Sequence, residues 1–511
     1  MQFFIDIILV LIYGVALLLL LAWVWRFWML YVNRQFIDKW NADSLLLEIR
    51  LPREILKSPL ATETALASLI QGGSVGDWWA KNWSGNLTAW SSLEIASIEG
   101  VVRFYIRINK KFRPLVEANF YAQYPGIEIA EADDYTKLVR YHHLSQDVSM
   151  FGCSFFLSGK WEVKNEYGEP LKKGKDAYKM RADFFPIKTY LDYGLDKDPK
   201  EEFKIDPITP MIEFMGSLGK GEYFWYQILV QAEGTFDGKK FPKMFYNEVT
   251  GERLSISDMV KQWKKQLRIG KVIKKGDVAL DKYGNVEKKP GGQKDADGNP
   301  ILVEVKYQKD QIDKRSELDL SKEEKETLEA VDKKMSKPLV RTISRLLYLA
   351  DNNRGKFNGG HIQSTLAAMK PFAGVNSFGL ETTDPYTFNW EKLGGKRVDW
   401  RKEEKFNAFV ERSGFHPIIP EKNESEGMSS LDWWEDGFFY PYPTKYRIMF
   451  RTAYEILFRP FASAHLPNRE ISVLNLEELA TLWHLPGAVV TTPTLPRIDS
   501  TKGVAPVNLP Q

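Results

Sequence analysis

Cysteine is almost missing: Cys153 is the single one in 511 residues. One thiol cannot close an intrachain disulfide, and it excludes a zinc knuckle or iron–sulfur cluster built on this chain's cysteines. Charge of one sign is lacking as well. Seventy Lys and Arg face 67 Asp and Glu, a net +3, so no global field marks a nucleic-acid or membrane-surface binder. A P-loop is absent. Gly-Lys occurs at Lys160, Lys175, Lys220, Lys239, Lys271, Lys356 and Lys396, each time without the following Ser or Thr that would hold magnesium. The histidines (His142, His143, His361, His416, His465, His484) show neither HExxH nor H-x-x-x-H spacing. No cofactor is expected, and no enzymatic activity. What is abundant is apolar and aromatic material: 44% hydrophobic residues, with 16 Trp, 22 Tyr and 30 Phe. That is enough for two or three domains with real cores.

One long apolar run stands out. From Ile7 to Trp25 no charge interrupts IILVLIYGVALLLLLAWVW. About 19 residues at ~1.5 Å each match the hydrocarbon thickness of a bilayer. Residues 1–33 are therefore expected to form a transmembrane anchor, with Trp23, Trp25, Arg26, Trp28 and Tyr31 at the membrane interface. Basic residues follow the run (Arg26, Arg34, Lys39) and none precedes it. The positive-inside rule then gives a single-pass inner-membrane protein with its N-terminus outside and its body cytoplasmic.

Behind the run the pattern is α+β. LLLEIRL alternates; TETALASLIQGG has helical spacing and a Gly-Gly stop; SLEIASI and VVRFYIRI flank Glu99-Gly100 as a hairpin. FRPLVEANFYAQYP follows as a helix with Pro114 in its first turn, and IEIAEAD as a strand. The order βαββαβ predicts a ferredoxin-like domain over 34–150. A second is expected over 151–390, from a strand at FPIKTYLDYGL through TPMIEFMGSLG, EYFWYQILVQA, LVRTISRLLYLAD, HIQSTLAAMKPF and NSFGLET. It carries an insertion at about 235–337 with a basic helix, SDMVKQWKKQLR, a Gly/Asp/Lys loop, EKKPGGQKDADGNP, and a charged helix capped by Ser321 and Glu324. Residues 391–490 read as an aromatic-rich helical and loop region, with helices YRIMFRTAYEILFRPFA and NLEELATLW. Residues 491–511 read as an extended Pro-rich tail.

Arg103, Tyr105 and Arg107 alternate with the apolar positions of their strand, so they are expected on an outward face that could take nucleic acid or a partner. Cys153 in MFGCSFF reads as a small buried hydrophobe, and Asp133-Asp134 as a solvated strand end.

Several phrases resemble one bacterial family: LLLEIRLPREILKSP, SLEIASIEGVVRFYIR, EANFYAQYPGIEIAEADDYT, EFMGSLGKGEYFWYQILV and LNLEELATLWHLPG…TPTLPR. In that family a membrane-anchored region of unknown function precedes a HerA/FtsK-type ATPase of type IV secretion and conjugation systems. The resemblance spans nearly the whole chain, but this sequence reaches Gln511 without a Walker motif, so no catalytic residue carries over. It implies a non-enzymatic, membrane-anchored scaffold or assembly component of a type IV secretion or DNA-translocation machine. Its partners would be the lipid bilayer, a separate HerA/FtsK-type ATPase and further copies of itself. The alternative is a membrane-tethered nucleic-acid-binding adaptor.

Overall fold

A computed structural model describes residues 2–52, 57–69, 79–80, 83–142, 145, 147–165, 168–173, 176–196, 206–232, 244–247, 249–273, 286, 288–294, 300–304, 311–355, 357–382, 402–403, 405–415, 470–487 and 496–498. The chain divides into two compact units. One is Met1–Ser158, Pro186–Pro242 and Met335–Gln511; the other is Gly159–Phe185 and Lys243–Lys334. The helix expected at YRIMFRTAYEILFRPFA lies outside the described residues.

The first unit opens with helix α1 (Gln2–Ala42). Then come β1 (Ser44–Pro52), α2 (Pro59–Leu66), β2 (Trp90–Ile98), β3 (Val101–Asn109), α3 (Arg113–Gln123) and β4 (Glu128–Ala132). Glu99 and Gly100 turn the β2–β3 hairpin with φ of +52° and +86°, the left-handed pair that a two-residue hairpin loop requires. The next series is β5 (Val148–Leu157), α4 (Thr209–Gly216), β6 (Glu222–Gln231), β7 (Leu339–Asp351), α5 (Gly360–Ala367) and β8 (Phe378–Thr382). Last come β9 (Ser472–Asn475), α6 (Leu476–Leu482) and β10 (Arg497–Ile498).

These strands form one sheet in the order β8-β5-β7-β6-β2-β3-β1-β10, with β4 also on β1 and β9 on the start of β7. Within each βαββαβ series the first strand lies between the third and the fourth. The two series join through their second strands, β6 antiparallel to β2 from Tyr223↔Ile98 to Gln231↔Trp90.

The two expected modules thus share one continuous sheet, antiparallel except at β10. The second series begins at Val148–Leu157, not at FPIKTYLDYGL. Residues of that latter stretch form turns instead, with Asp192 accepting from the Thr189 amide at 2.7 Å. Pro186 lacks the amide that a ladder needs. Strand β5 escaped the alternation test because both its faces are buried.

The membrane anchor is also corrected. Residues 7–25 are helical, but their helix does not end with the apolar run. It continues through Arg34, Asp38 and Lys39, and its last turns dock through Val32, Ile37 and Trp40, all buried, with Trp40 5.6 Å from Trp90. Among the described residues no helix is long and apolar enough to cross a membrane. This overturns the transmembrane segment, the single-pass topology and the inner-membrane localisation.

One face of the sheet carries the main apolar core. Ile49, Leu93, Ile95, Phe104 and Ile106 meet α2, α3, α4 and α6 there, and α6 is buried throughout its length. Trp483, directly after α6, packs edge-on against Phe104 and Phe120 at 6.0 and 6.3 Å. Fully burying side chains of this size is worth ~1.5–3 kcal/mol each.

The second unit has its own small core. Helix Ile256–Leu267 begins in a capping box between Ser255 and Asp258 and buries Ile256, Met259, Val260 and Trp263. Trp263 lies 5.4 Å from Phe184, and Trp161 donates to Gln266 Oε1 at 2.7 Å. Helix Lys322–Ser336 starts where Ser321 and Glu324 exchange hydrogen bonds, and Lys264 pairs with Asp332. Part of the expected Gly/Asp/Lys loop is ordered as strand, Lys288–Lys294 pairing antiparallel with Pro300–Glu304.

Candidate interaction face of the sheet

Arg103, Tyr105 and Arg107 do point away from the helix-covered face, as alternation on β3 requires. Most of that second face is not open, however. Residues around Tyr135 and Val139 and the helical stretch 405–410 cover it, forming a second core with Leu46, Ala96, Met150, Trp225 and Leu347. Tyr105 is buried and stacked on Tyr135, with ring centroids 5.1 Å apart. Burial pushes its phenol up to about 12. Arg107 is half-buried and donates to the carbonyl and side-chain oxygens of Asn41 at 3.3 and 3.1 Å. Burial and the charge of Arg412 bring its guanidinium down to about 10. Of the three, Arg103 is exposed, 3.7 Å from Glu48. They do not form a joint platform for stacking bases.

Beneath the covering segment lies a charged cluster. Glu94 is wholly buried on β2 and Arg412 is 1% exposed. Arg412 Nε and Nη2 donate to the two Glu94 oxygens at 2.9 and 3.1 Å. Its Nη1 and Nη2 donate to Asp134 at 2.6 and 3.0 Å. Glu94 also accepts from Ser92, Tyr135 and Gln227 at 2.5, 2.7 and 3.1 Å. Burial alone would raise the Glu94 carboxyl, but the guanidinium outweighs it and holds the group below the usual carboxylate range. At Asp134 the same contest, decided by hydrogen bonds and charge from Arg412, ends at about 2. Two fork-on-carboxylate contacts make this a geometrically exacting arrangement.

The local chain explains how Arg412 arrives. The helical stretch 405–410 ends, and Arg412 takes φ +50°, a left-handed conformation that costs a non-glycine residue of order 1–3 kcal/mol unless its surroundings over-determine it. Trp90 Nε1 holds its carbonyl at 2.8 Å. At Gly414 (φ +146°) a Cβ would come within 2.4 Å of Arg345 Nη2, so glycine alone fits.

The interface residues expected on α1 scatter. The side chains of Trp23 and Arg26 lie outside the described residues. Trp25 is exposed. Trp28 lies 6.2 Å from Tyr31 and 5.2 Å from Trp83, and Tyr31 accepts from Gln35 at 2.5 Å.

Sequence reasoning missed Glu94, Arg412 and Arg345, because a charge alternating with Leu93 and Ile95 reads as a solvent-facing position. Asp134 was in view as a strand end; Asp133 is exposed there, while Asp134 turns inward. Cys153 is buried, its thiol pushed up to about 12 by desolvation. His484 is buried between the Ala480 carbonyl and Asp206, both at 2.9 Å. A depression of about 550 Å³, open to solvent, lies in the second unit and is lined by Glu252, Arg253, Asp258 and Lys261. No protein-family model matches the chain, and comparison with curated proteins and with solved structures gives no significant match.

Proposed function

We propose that the chain is a non-enzymatic assembly component of a type IV secretion or DNA-translocation machine and docks a separate HerA/FtsK-type ATPase. The resemblance of its phrases to the region preceding such ATPases supports the setting. One observation supports the docking role. The tail phrase is tied to the sheet by β10, which runs parallel to the end of β1 with Leu51 opposite Arg497 and Pro52 opposite Ile498. Arg497 reinforces the tie, donating to the Gly487 carbonyl at 3.2 Å. In fused relatives the corresponding phrase leads into the motor, so a fixed departure point beside β1 suits a docking segment. An extended Pro-rich segment also loses less entropy on docking than a flexible coil. The nucleic-acid adaptor reading is weaker, because Tyr105, its stacking ring, is part of a core.

Deleting residues 491–511 tests the role. The truncated chain is expected to keep a cooperative melt while losing co-purification with a co-expressed HerA/FtsK-type ATPase. Undiminished capture of the motor by the folded truncation would sink the docking reading.

A further inference from the structure

The segment 405–415 meets the second face of the sheet as a peptide meets a receptor. Phe406, Phe409 and Arg412 recur every three residues and present one face. The two rings enter a groove floored by Tyr105, Met150, Trp225 and Leu347, Trp225 lying 6.3 and 5.8 Å from them. Arg412 enters the Glu94–Asp134 pocket, its guanidinium 5.9 Å from the Tyr135 ring.

Side chains of the body read the segment's carbonyls. Arg345 Nη1 donates to Ala408 and Ser413 at 3.1 and 2.6 Å, Gln227 to Phe409 at 3.2 Å, and Asn41 to Glu411 at 3.3 Å. Lys405 is held by Glu470 and Ser154 at 2.9 and 2.6 Å. The contacts are those of ligand recognition: an arginine read bidentately by two carboxylates, with aromatic anchors beside it.

We propose that this is an exchangeable site whose occupant in an assembly is the 405–415 segment of a second copy of the chain. The fit on the page is a fit to this one segment, and every copy carries it. Closed and exchanged forms make the same contacts, so concentration and the geometry of the connecting chain set the balance between them. Residues 383–401 connect β8 to the segment; at ~3.3 Å per residue a chain of that length reaches roughly 60 Å, so continuity does not tie the segment to its own sheet. The inference is independent of the ATPase reading, since it concerns contacts between identical chains.

The test uses two full-length chains, Arg34→Cys and Glu411→Cys. Arg34 and Glu411 pair at 3.3 Å between the segment and α1, are partly exposed, and lie outside the pocket. Neither chain alone can cross-link within itself at this point, and Cys153 is buried. The chains are co-expressed and treated with a short bismaleimide. A cross-linked heterodimer is expected, and it should fall at least tenfold when the Glu411→Cys chain also carries Arg412→Lys, which keeps the charge but loses the fork. Absence of the heterodimer overturns the proposal. So does a heterodimer that Arg412→Lys leaves undiminished in a chain whose melt is still cooperative.

Discussion

The two faces of the large sheet are built on opposite principles. On one, Leu93, Phe104 and Trp483 meet through apolar contact, and any side chain of similar volume could in part replace another. On the other, Glu94, Asp134 and Arg412 admit few substitutes, because each donor and acceptor has an assigned counterpart. The apolar face supplies stability that degrades gradually. The polar face specifies which segment lies where, and it fails abruptly when one member is lost.

The sharpest way to break this contrast is Arg412→Met. Removing the guanidinium strands Glu94 and Asp134, and denaturant melts should show a loss of about 3–5 kcal/mol. Adding Glu94→Gln and Asp134→Asn should return a large part of it. Ile95→Val on the other face should cost only about 1 kcal/mol. A triple variant no more stable than Arg412→Met would mean that the ion pairs do not control this face.

The faces should also fail at opposite ends of the pH scale. Asp134 titrates at about 2 when folded, against an ordinary 3.8. Its contribution, up to about 2 kcal/mol, is complete above pH ~4 and is lost as pH falls toward 2. His484 is buried, yet the charge and hydrogen bond of Asp206 outweigh desolvation and raise its folded value above 6.5. Its contribution is complete below pH 6.5 and disappears as pH rises through the folded value. Melting temperature against pH should slope down on both sides. His484→Asn should flatten the alkaline slope and, by removing the charge that lowers Asp206, part of the acid slope, whereas Asp134→Asn should flatten the acid slope only. The smallest effect is expected at Arg103→Ala, within about 0.5 kcal/mol in the same melts, because its pairing with Glu48 is exposed.

Strands with one alternating apolar set were legible in the sequence. Leu47, Ile49 and Leu51, and Val102 through Ile108, bury the set that their period of two predicts. Legibility ended where both faces are buried: MFGCSFF is a central strand without a polar beat, whereas FPIKTYLDYGL imitates one and turns. The covering of the second face was not legible either. Nothing around Glu94 announces that Arg412, more than 300 positions away, will meet it, since pairing of that kind is a property of the folded sheet. The apolar run at 7–25 shows the same limit. A window of residues reports composition, but not that the helix continues and docks through Ile37 and Trp40.

The short strand β10 has a mechanical consequence. Tension applied to the chain beyond Ile498 would load only two backbone pairs, Leu51↔Arg497 and Pro52↔Ile498. Those would peel early, as a fuse does. The pull would next reach residues 471–485, which are buried throughout and carry Trp483 among the rings of Phe104 and Phe120. Extracting that peg means dragging an indole and a buried imidazole out of the core, so the resisting force rises in a step. A motor attached through this tail would be held by a compliant first contact backed by a stiff one.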